Sequence, residues 1–204
     1  MNPRKILLGV VCGVMLPIAV NGQTVQSLKL VTNHIISDPV SGMIYASVPS
    51  SVGTHGNSIA TVNPSSGTVV RRVFVGSEPD VLAASDDGQF VYVGLDGAEA
   101  VRRYVIATHR AGLQFSLGGF NAQDLKVLPG SPRSVAVLAS GTVAIYDNGV
   151  PRPNVASGSF GSLALSGSAA VMYAQDTQDS LATFGSSMGV HCPRWQTSNS
   201  TPRK

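Results

Sequence analysis

Cysteine is nearly absent from this chain of 204 residues, which carries only Cys12 and Cys192. No Cys-x-x-Cys occurs, and a zinc ribbon or a thioredoxin-like redox site is excluded. The four histidines, His34, His55, His109 and His191, lie far apart in sequence, and none stands at a zinc-ligand spacing. There is no Gly-x-Ser-x-Gly nucleophile elbow and no glycine-rich phosphate loop ahead of a helix. Segments with helical periodicity are missing beyond a turn or two, so helical bundles and α/β folds are excluded. The sequence therefore designates no catalytic residue, no cofactor-binding residue and no metal ligand, and it requires no cofactor.

A basic excess is also missing from the body of the chain. The whole sequence has a net charge of +3, but residues 23–190 hold nine Lys and Arg against eleven Asp and Glu, a net of −2. The excess comes from Arg4 and Lys5 at one end and from Arg194, Arg203 and Lys204 at the other. A basic stripe for nucleic acid is not present, and no nucleic-acid partner is expected.

The one long apolar run is at the start. Arg4 and Lys5 precede an apolar stretch over residues 6–20, and Val20-Asn21-Gly22 ends in a small residue. This is the layout of a signal peptide over residues 1–22, with cleavage before Gln23. A membrane anchor fits less well, because the run falls short of about 20 residues and contains Pro17. A lipoprotein site at Cys12 lacks the small residue just before the cysteine. The expected product is secreted or periplasmic, without a membrane span once the leader is removed. With Cys192 its sole cysteine, it has no internal disulfide.

What is present is a repeat of short β-strands. Residues 73–75 form a β-branched and aromatic run stopped by Gly76 and Pro79. Residues 80–84 start a new, small and apolar strand, the kind that suits the crowded axis of a ring of blades. Ser85, Asp86, Asp87 and Gly88 make an acidic turn, and residues 90–93 return as the next strand. The remainder copies this unit imperfectly. The first unit places strands over 28–36, 43–48, 58–62 and 69–75, with Asp38-Pro39-Val40-Ser41-Gly42 as a turn and residues 49–57 as a long hairpin loop. The second runs over 80–117, with later strands at 101–105 and 113–117. The third has strands at 124–128, 134–138 and 143–146 with turns at 129–132 and 147–149, and the fourth has 162–165 and 171–175. If Tyr45, Tyr92, Ala136 and Tyr173 mark one strand position, the repeats are 47, 44 and 37 residues apart. Those spacings straddle the roughly 40 to 45 residues of a four-stranded propeller blade.

The motif Val75-Gly76-x-x-Pro79, followed by Ser85-Asp86-Asp87-Gly88 and Phe90-Val91-Tyr92-Val93, resembles the YVTN-family β-propeller repeat. The stretch from Ile59 to Val70 is similar to that family's strand, turn and strand, with Asn63 where Asp is usual. Gly94-Leu95 stands where the family has Thr-Asn. The expectation is all-β: a WD40-like β-propeller array of about four blades over residues 23–190, incomplete and open, with a disordered basic tail over residues 191–204. Truncation or a frameshift ahead of His191 would also explain that tail, making the chain a fragment of a larger propeller protein.

Individual residues support bland assignments. His55 reads as a solvated loop histidine. Asp86-Asp87-Gly88 reads as a β-turn and not a calcium loop, since other oxygen ligands are missing. Asp38, Asp147 and Asp176 also fall in or near turns. The Arg102-Arg103 pair, with Arg71-Arg72 at a comparable place one unit earlier, could line an anion-binding face, but reads better as a solvated edge that blocks aggregation. The expected function is a non-catalytic binding or scaffolding module for a protein or glycan ligand. Open blade edges would permit self-association. The alternative implied by the resemblance is a propeller lactonase-like hydrolase, which needs acidic or His side chains converging on the axis. Inner strands such as 81–84 and 163–165 end in small and apolar residues instead.

Overall fold

The computed structural model describes residue 25 and residues 27–176 and 181–185, so the leader, the tail with His191 and Cys192, and the question of truncation lie outside the described residues. The chain forms four antiparallel sheets in sequence order. Blade 1 is β1 (His34–Ser37), β2 (Ile44–Val48), β3 (Ser58–Asn63) and β4 (Thr68–Phe74). Blade 2 is β5 (Pro79–Ala84), β6 (Phe90–Leu95), β7 (Ala100–Val105) and β8 (Arg110–Ser116). Blade 3 is β9 (Asp124–Leu128), β10 (Ser131–Ala139), β11 (Thr142–Asp147) and β12 (Val150–Ser157), and blade 4 contributes β13 (Phe160–Leu165), β14 (Val171–Asp176) and β15 (Leu181–Gly185). Each sheet is an up-and-down meander of contiguous chain, so no strand is shared between blades. The first strands, β1, β5, β9 and β13, lie side by side and form the inner rim. The all-β, incomplete propeller of about four blades read from the repeat is the fold observed.

Blades stack by their faces. Strand β6 is buried along its whole length because both of its faces are covered, which is why it reads as an unbroken apolar run. Val91, Val93 and Leu95 meet Tyr45, Ile59 and Val75 of blade 1. On the other face Phe90 and Tyr92 meet Val135 and Val137 of blade 3. Alternation then sends Ala136 and Leu138 to Leu163, Met172 and Ala174 of blade 4. At about 1.5–3 kcal/mol for each large apolar side chain buried, these faces supply most of the cohesion. The repeat marker has a physical meaning: Tyr45, Tyr92 and Ala136 all face the following blade. Tyr45 meets Tyr104 edge to face at 5.9 Å, and the Tyr92 hydroxyl donates to the Pro132 carbonyl at 3.1 Å.

The turns behave as their residues dictate. Ser85, fully buried, accepts the Phe90 N–H through Oγ at 3.0 Å and donates to Asp87 Oδ1 at 2.7 Å. Asp86 does more than turn the chain, since its Oδ2 accepts the Gly130 N–H of blade 3 at 2.8 Å. Gly76 of the Val-Gly motif has φ +131°, and a Cβ there would sit 2.6 Å from Leu95 Cδ1. Such a backbone conformation is essentially glycine-only.

Several expectations change. The opening strand starts at His34, the predicted loop over 49–57 contains a 3-10 turn at Ser50–His55, and a second 3-10 turn covers Asp96–Ala98. Strand β10 already begins at Ser131, with an irregular register up to Val135. Strand β12 has no sequence-based counterpart, because Pro151 and Pro153 argue against a strand. It is an outermost strand, where a missing donor is tolerated. The arginine pairs are not equivalent: Arg71 and Arg72 sit on the fourth strand of their blade, Arg102 and Arg103 on the third.

Candidate functional site

Along the inner rim, one position of each blade faces the next. It lies two residues before the partner of the repeat marker and is occupied by His34, Val81 and Asp124 in blades 1 to 3, with Ser162 the equivalent residue of blade 4. The residue that follows it is Ile35, Leu82, Leu125 or Leu163, whose N–H can point out of the sheet because an inner strand is an edge. His34 Nδ1 accepts the Leu82 N–H of blade 2 at 3.2 Å, and Asp124 Oδ2 accepts the Leu163 N–H of blade 4 at 2.7 Å. Val81 has no acceptor to offer, and Leu125 instead donates to Asp124 Oδ1 at 2.8 Å. Asn33 adds a bond from Nδ2 to the Pro79 carbonyl at 3.0 Å. His34 and Asp124 thus join blades, and both are committed to backbone partners.

The arginines of blade 2 also join blades and do not form a free basic face. Arg102 Nη1 donates to the Val75 carbonyl at 3.3 Å and to Gln114 Oε1 at 3.2 Å. Arg103 donates to Asn148 Oδ1 of blade 3 at 2.9 Å and lies over the Phe90 ring at 4.7 Å. This corrects the reading of that pair as a solvated edge; partly buried, it is spent on cross-blade contacts that strand assignment alone could not reveal. Arg71 remains exposed.

A surface rich in polar and acidic groups is the end of blades 1 and 2 where second strands run into third and fourth into first. Three non-glycine residues there adopt left-handed backbone: Asn57 at φ 53°, Glu78 at 49° and Glu99 at 48°. Each is held by a carbonyl that crosses to a neighbouring loop or strand. Val75 N–H donates to Asn57 O at 3.0 Å, Asp96 N–H to Glu78 O at 2.8 Å and Leu117 N–H to Glu99 O at 2.9 Å. Asn57 Oδ1 also accepts the Glu78 N–H at 2.9 Å, and Glu78 Oε2 accepts the Ser50 N–H at 3.3 Å. Gly97 comes so close to Ser77 that a Cβ would lie 2.3 Å from its Oγ. The bond from Asp96 N–H to Glu78 O brings Asp96 within electrostatic reach of Glu78, and the charge of Asp80 acts on it as well.

Asp96 is raised above the usual carboxylate range, first by burial and then by repulsion from Asp80 and Glu78. Its Oδ1 is shielded from solvent without a hydrogen-bond partner. A cationic group from a ligand nearby would relieve the repulsion. His55 sits exposed on the neighbouring 3-10 turn, as a loop histidine. His109 is at the opposite end of blade 2, where its Nδ1 meets the Tyr104 hydroxyl at 3.2 Å. Among the described residues no three of His, Cys, Asp and Glu converge in a metal-holding group, and no helix is long and apolar enough to cross a membrane. The patch was not visible in sequence, since Glu78, Asp80 and Asp96 come together only through the register of β5 and β6. The clue was Glu78 between Gly76 and Pro79, a polar residue held in a tight crossing.

No protein-family model and no curated protein matches the sequence. Solved structures do match. A chain of the hydrazine synthase of Kuenenia stuttgartiensis aligns with a TM-score of 0.66 at 16% identity, over 87% of this chain and 52% of that one. U3-55K aligns at 0.62 and 11%, over 78% and 50%, and the WD40 repeats of RRP9 at 0.61 and 12%, over 78% and 49%. The chain spans about half the length of each. Likeness at this identity speaks for the fold alone, and that fold is part of a β-propeller of WD40-like architecture.

Proposed function

We propose that the chain is an exported, non-catalytic propeller module, built of YVTN-type repeats, that binds a protein ligand through the acidic loop face of blades 1 and 2. A binding or scaffold role is what WD40-like architecture supports, although propellers host many activities and one of the similar structures belongs to an enzyme. The observation that carries the reading is the crossing at Glu78, whose carbonyl accepts the Asp96 N–H and whose carboxylate accepts the Ser50 N–H, with the charges of Asp80 and Glu78 both acting on Asp96. The geometry suits a lysine or arginine side chain of a partner segment better than a glycan, which lacks the positive charge.

The test is calorimetric titration of the purified protein with a pool of lysine- and arginine-containing peptides, alongside neutral and acidic pools and neutral oligosaccharides. Selective binding of basic peptides, weakened by salt and at least tenfold weaker in Asp96→Asn/Glu78→Gln, is the expected result. Equal binding of the acidic pool, or selective binding of oligosaccharides, would refute it.

A further inference from the structure

Where blades 2 and 3 meet, at the end of the blades opposite the Glu78 crossing, positive charge is left without a carboxylate. Tyr92 and Arg103 are paired across β6 and β7 and share the face toward blade 3. Val135 and Val137 of β10 pack against that face, and alternation along β10 puts Arg133 on the same side as they are. The turn after β11 ties the two arginines together. Asn148, at φ 48°, donates its N–H to the Arg133 carbonyl at 2.9 Å, and its Oδ1 accepts from Arg103 Nη1 at 2.9 Å. Tyr92, buried and donating its hydroxyl to the Pro132 carbonyl, is within electrostatic reach of both guanidinium groups.

Acidic groups at this end are engaged elsewhere. Asp147 pairs with Ser134 across β11 and β10, which puts it on the blade 4 side of the sheet. There Arg152 holds it by two bonds at 2.7 and 2.9 Å, and Ser134 Oγ donates to it at 2.6 Å. Asp86 accepts the Gly130 N–H, and Asp87 accepts from Ser85 and Gln89. Among the described residues neither Arg103 nor Arg133 has a carboxylate at ion-pair distance. Arg103 is partly buried, with its Nε shielded from solvent and without a partner. A partly desolvated cation whose contacts are the neutral Asn148 amide and Phe90 ring stays costly until an anion reaches it. Arg133 and Asn148 are exposed, so solvent and ligands have access.

From this geometry we infer that Arg103, Arg133 and Asn148 form a binding site for a phosphate group, the doubly charged, tetrahedral end of a phosphorylated ligand. Two uncompensated arginines match the charge of a phosphate monoester, whereas a carboxylate supplies half of it. Guanidinium forks fit phosphate oxygens in pairs, and Asn148 adds its Nδ2 donors, since Oδ1 is the atom committed to Arg103. The site lies at the other end of the blades from the acidic loop face and does not depend on what that face binds.

The experiment is isothermal titration calorimetry of the full chain with inorganic phosphate, a sugar phosphate and acetate, together with co-sedimentation on phosphatidylcholine vesicles with and without phosphatidic acid. Inorganic phosphate and the sugar phosphate should bind at least tenfold more tightly than acetate. Arg133→Gln should weaken that binding at least tenfold, while Arg71→Gln, which changes an exposed arginine of blade 1, should leave it unchanged. Circular dichroism confirms the fold of each variant. Arg103→Gln also removes a contact between blades, so Arg133→Gln decides if the Arg103 variant fails to fold. Binding to phosphatidic acid vesicles alone, lost in Arg133→Gln, would assign the phosphate to a lipid headgroup and support the same site. Acetate binding as tight as phosphate, no binding in any arm, phosphate binding indifferent to Arg133→Gln, or an equal loss in Arg71→Gln would overturn the inference.

Discussion

Removing the carboxylate of Asp124 is the most informative single perturbation of the blade junctions. Its Oδ2 accepts the Leu163 N–H across the junction at 2.7 Å, and its Oδ1 accepts the Leu125 N–H at 2.8 Å and pairs with Lys126 Nζ at 2.7 Å. Leu163 and Leu125 are 5% and 0% exposed, so their amides have little water to turn to. Hydrogen bonds to a charged acceptor contribute about 1.5–3 kcal/mol each, and a buried donor left unpaired costs about 1–3 kcal/mol. The two bonds share one group and do not add fully, so Asp124→Ala should lose about 2–4 kcal/mol. The ion pair contributes much less. Lys126 is 38% exposed, and such pairs are worth up to about 1 kcal/mol. Lys126→Ala is therefore the control. Urea unfolding followed by circular dichroism measures both, with Asp124→Asn expected between them because it keeps one neutral acceptor. If Asp124→Ala lost no more than Lys126→Ala, the junction bond would not be a source of stability and the reasoning would fail.

Other consequences are testable by similar means. Gly94 stands where the resembling repeat has Thr, but a Cβ there would lie 2.8 Å from Val81 Cγ2 and 3.1 Å from Ala122 Cβ. Overpacking of about 1–3 kcal/mol outweighs a β-propensity gain of at most about 1 kcal/mol, so Gly94→Thr should lower the urea midpoint, while an unchanged midpoint contradicts the packing. Tyr45 is pushed up to about 12, mainly by burial and then by Tyr104 and Asp38. A raised folded-state value means stability present below the ordinary pH 10 and lost as pH rises toward 12. Tyrosinate absorbance and unfolding should therefore rise together over that window, and tyrosine ionisation complete near pH 10 in folded protein would refute it. Asp96 is raised as well, so its ionised form opposes folding at neutral pH. Asp96→Asn should raise the midpoint at pH 7 and make little difference at pH 3, where the carboxyl is protonated in both states. A loss of stability at pH 7 would show that the charge has a partner.

Strand order and blade count were legible because the β-strand period and the turn residues are local. Ser85 to Gly88 and Asp38 to Gly42 turn the chain in sequence as they do in space, and the spacing of Tyr45, Tyr92 and Ala136 marks the face that meets the next blade. Strand β12 was hidden by Pro151 and Pro153, whose missing donors matter only if the strand is internal. The roles of Arg102, Arg103, His34 and Asp124 depend on contacts with another blade, and nothing within a single repeat specifies them. The acidic face was illegible for the same reason: Asp96 meets Glu78 and Asp80 only after β5 and β6 are paired. Gly94 is informative in the other direction, since its departure from the resembling repeat coincides with Val81 and Ala122 filling the space a side chain would need.

Contiguous blades are joined along the inner rim by side chains that cap the next blade's free amides. Hydrogen exchange resolved at single amides, on wild type, His34→Ala and Asp124→Ala, tests it most directly. Slow exchange is expected at Leu82 and Leu163 in wild type, with loss of protection at Leu82 only in His34→Ala and at Leu163 only in Asp124→Ala. Fast exchange at both amides in wild type, or protection indifferent to both substitutions, would contradict it.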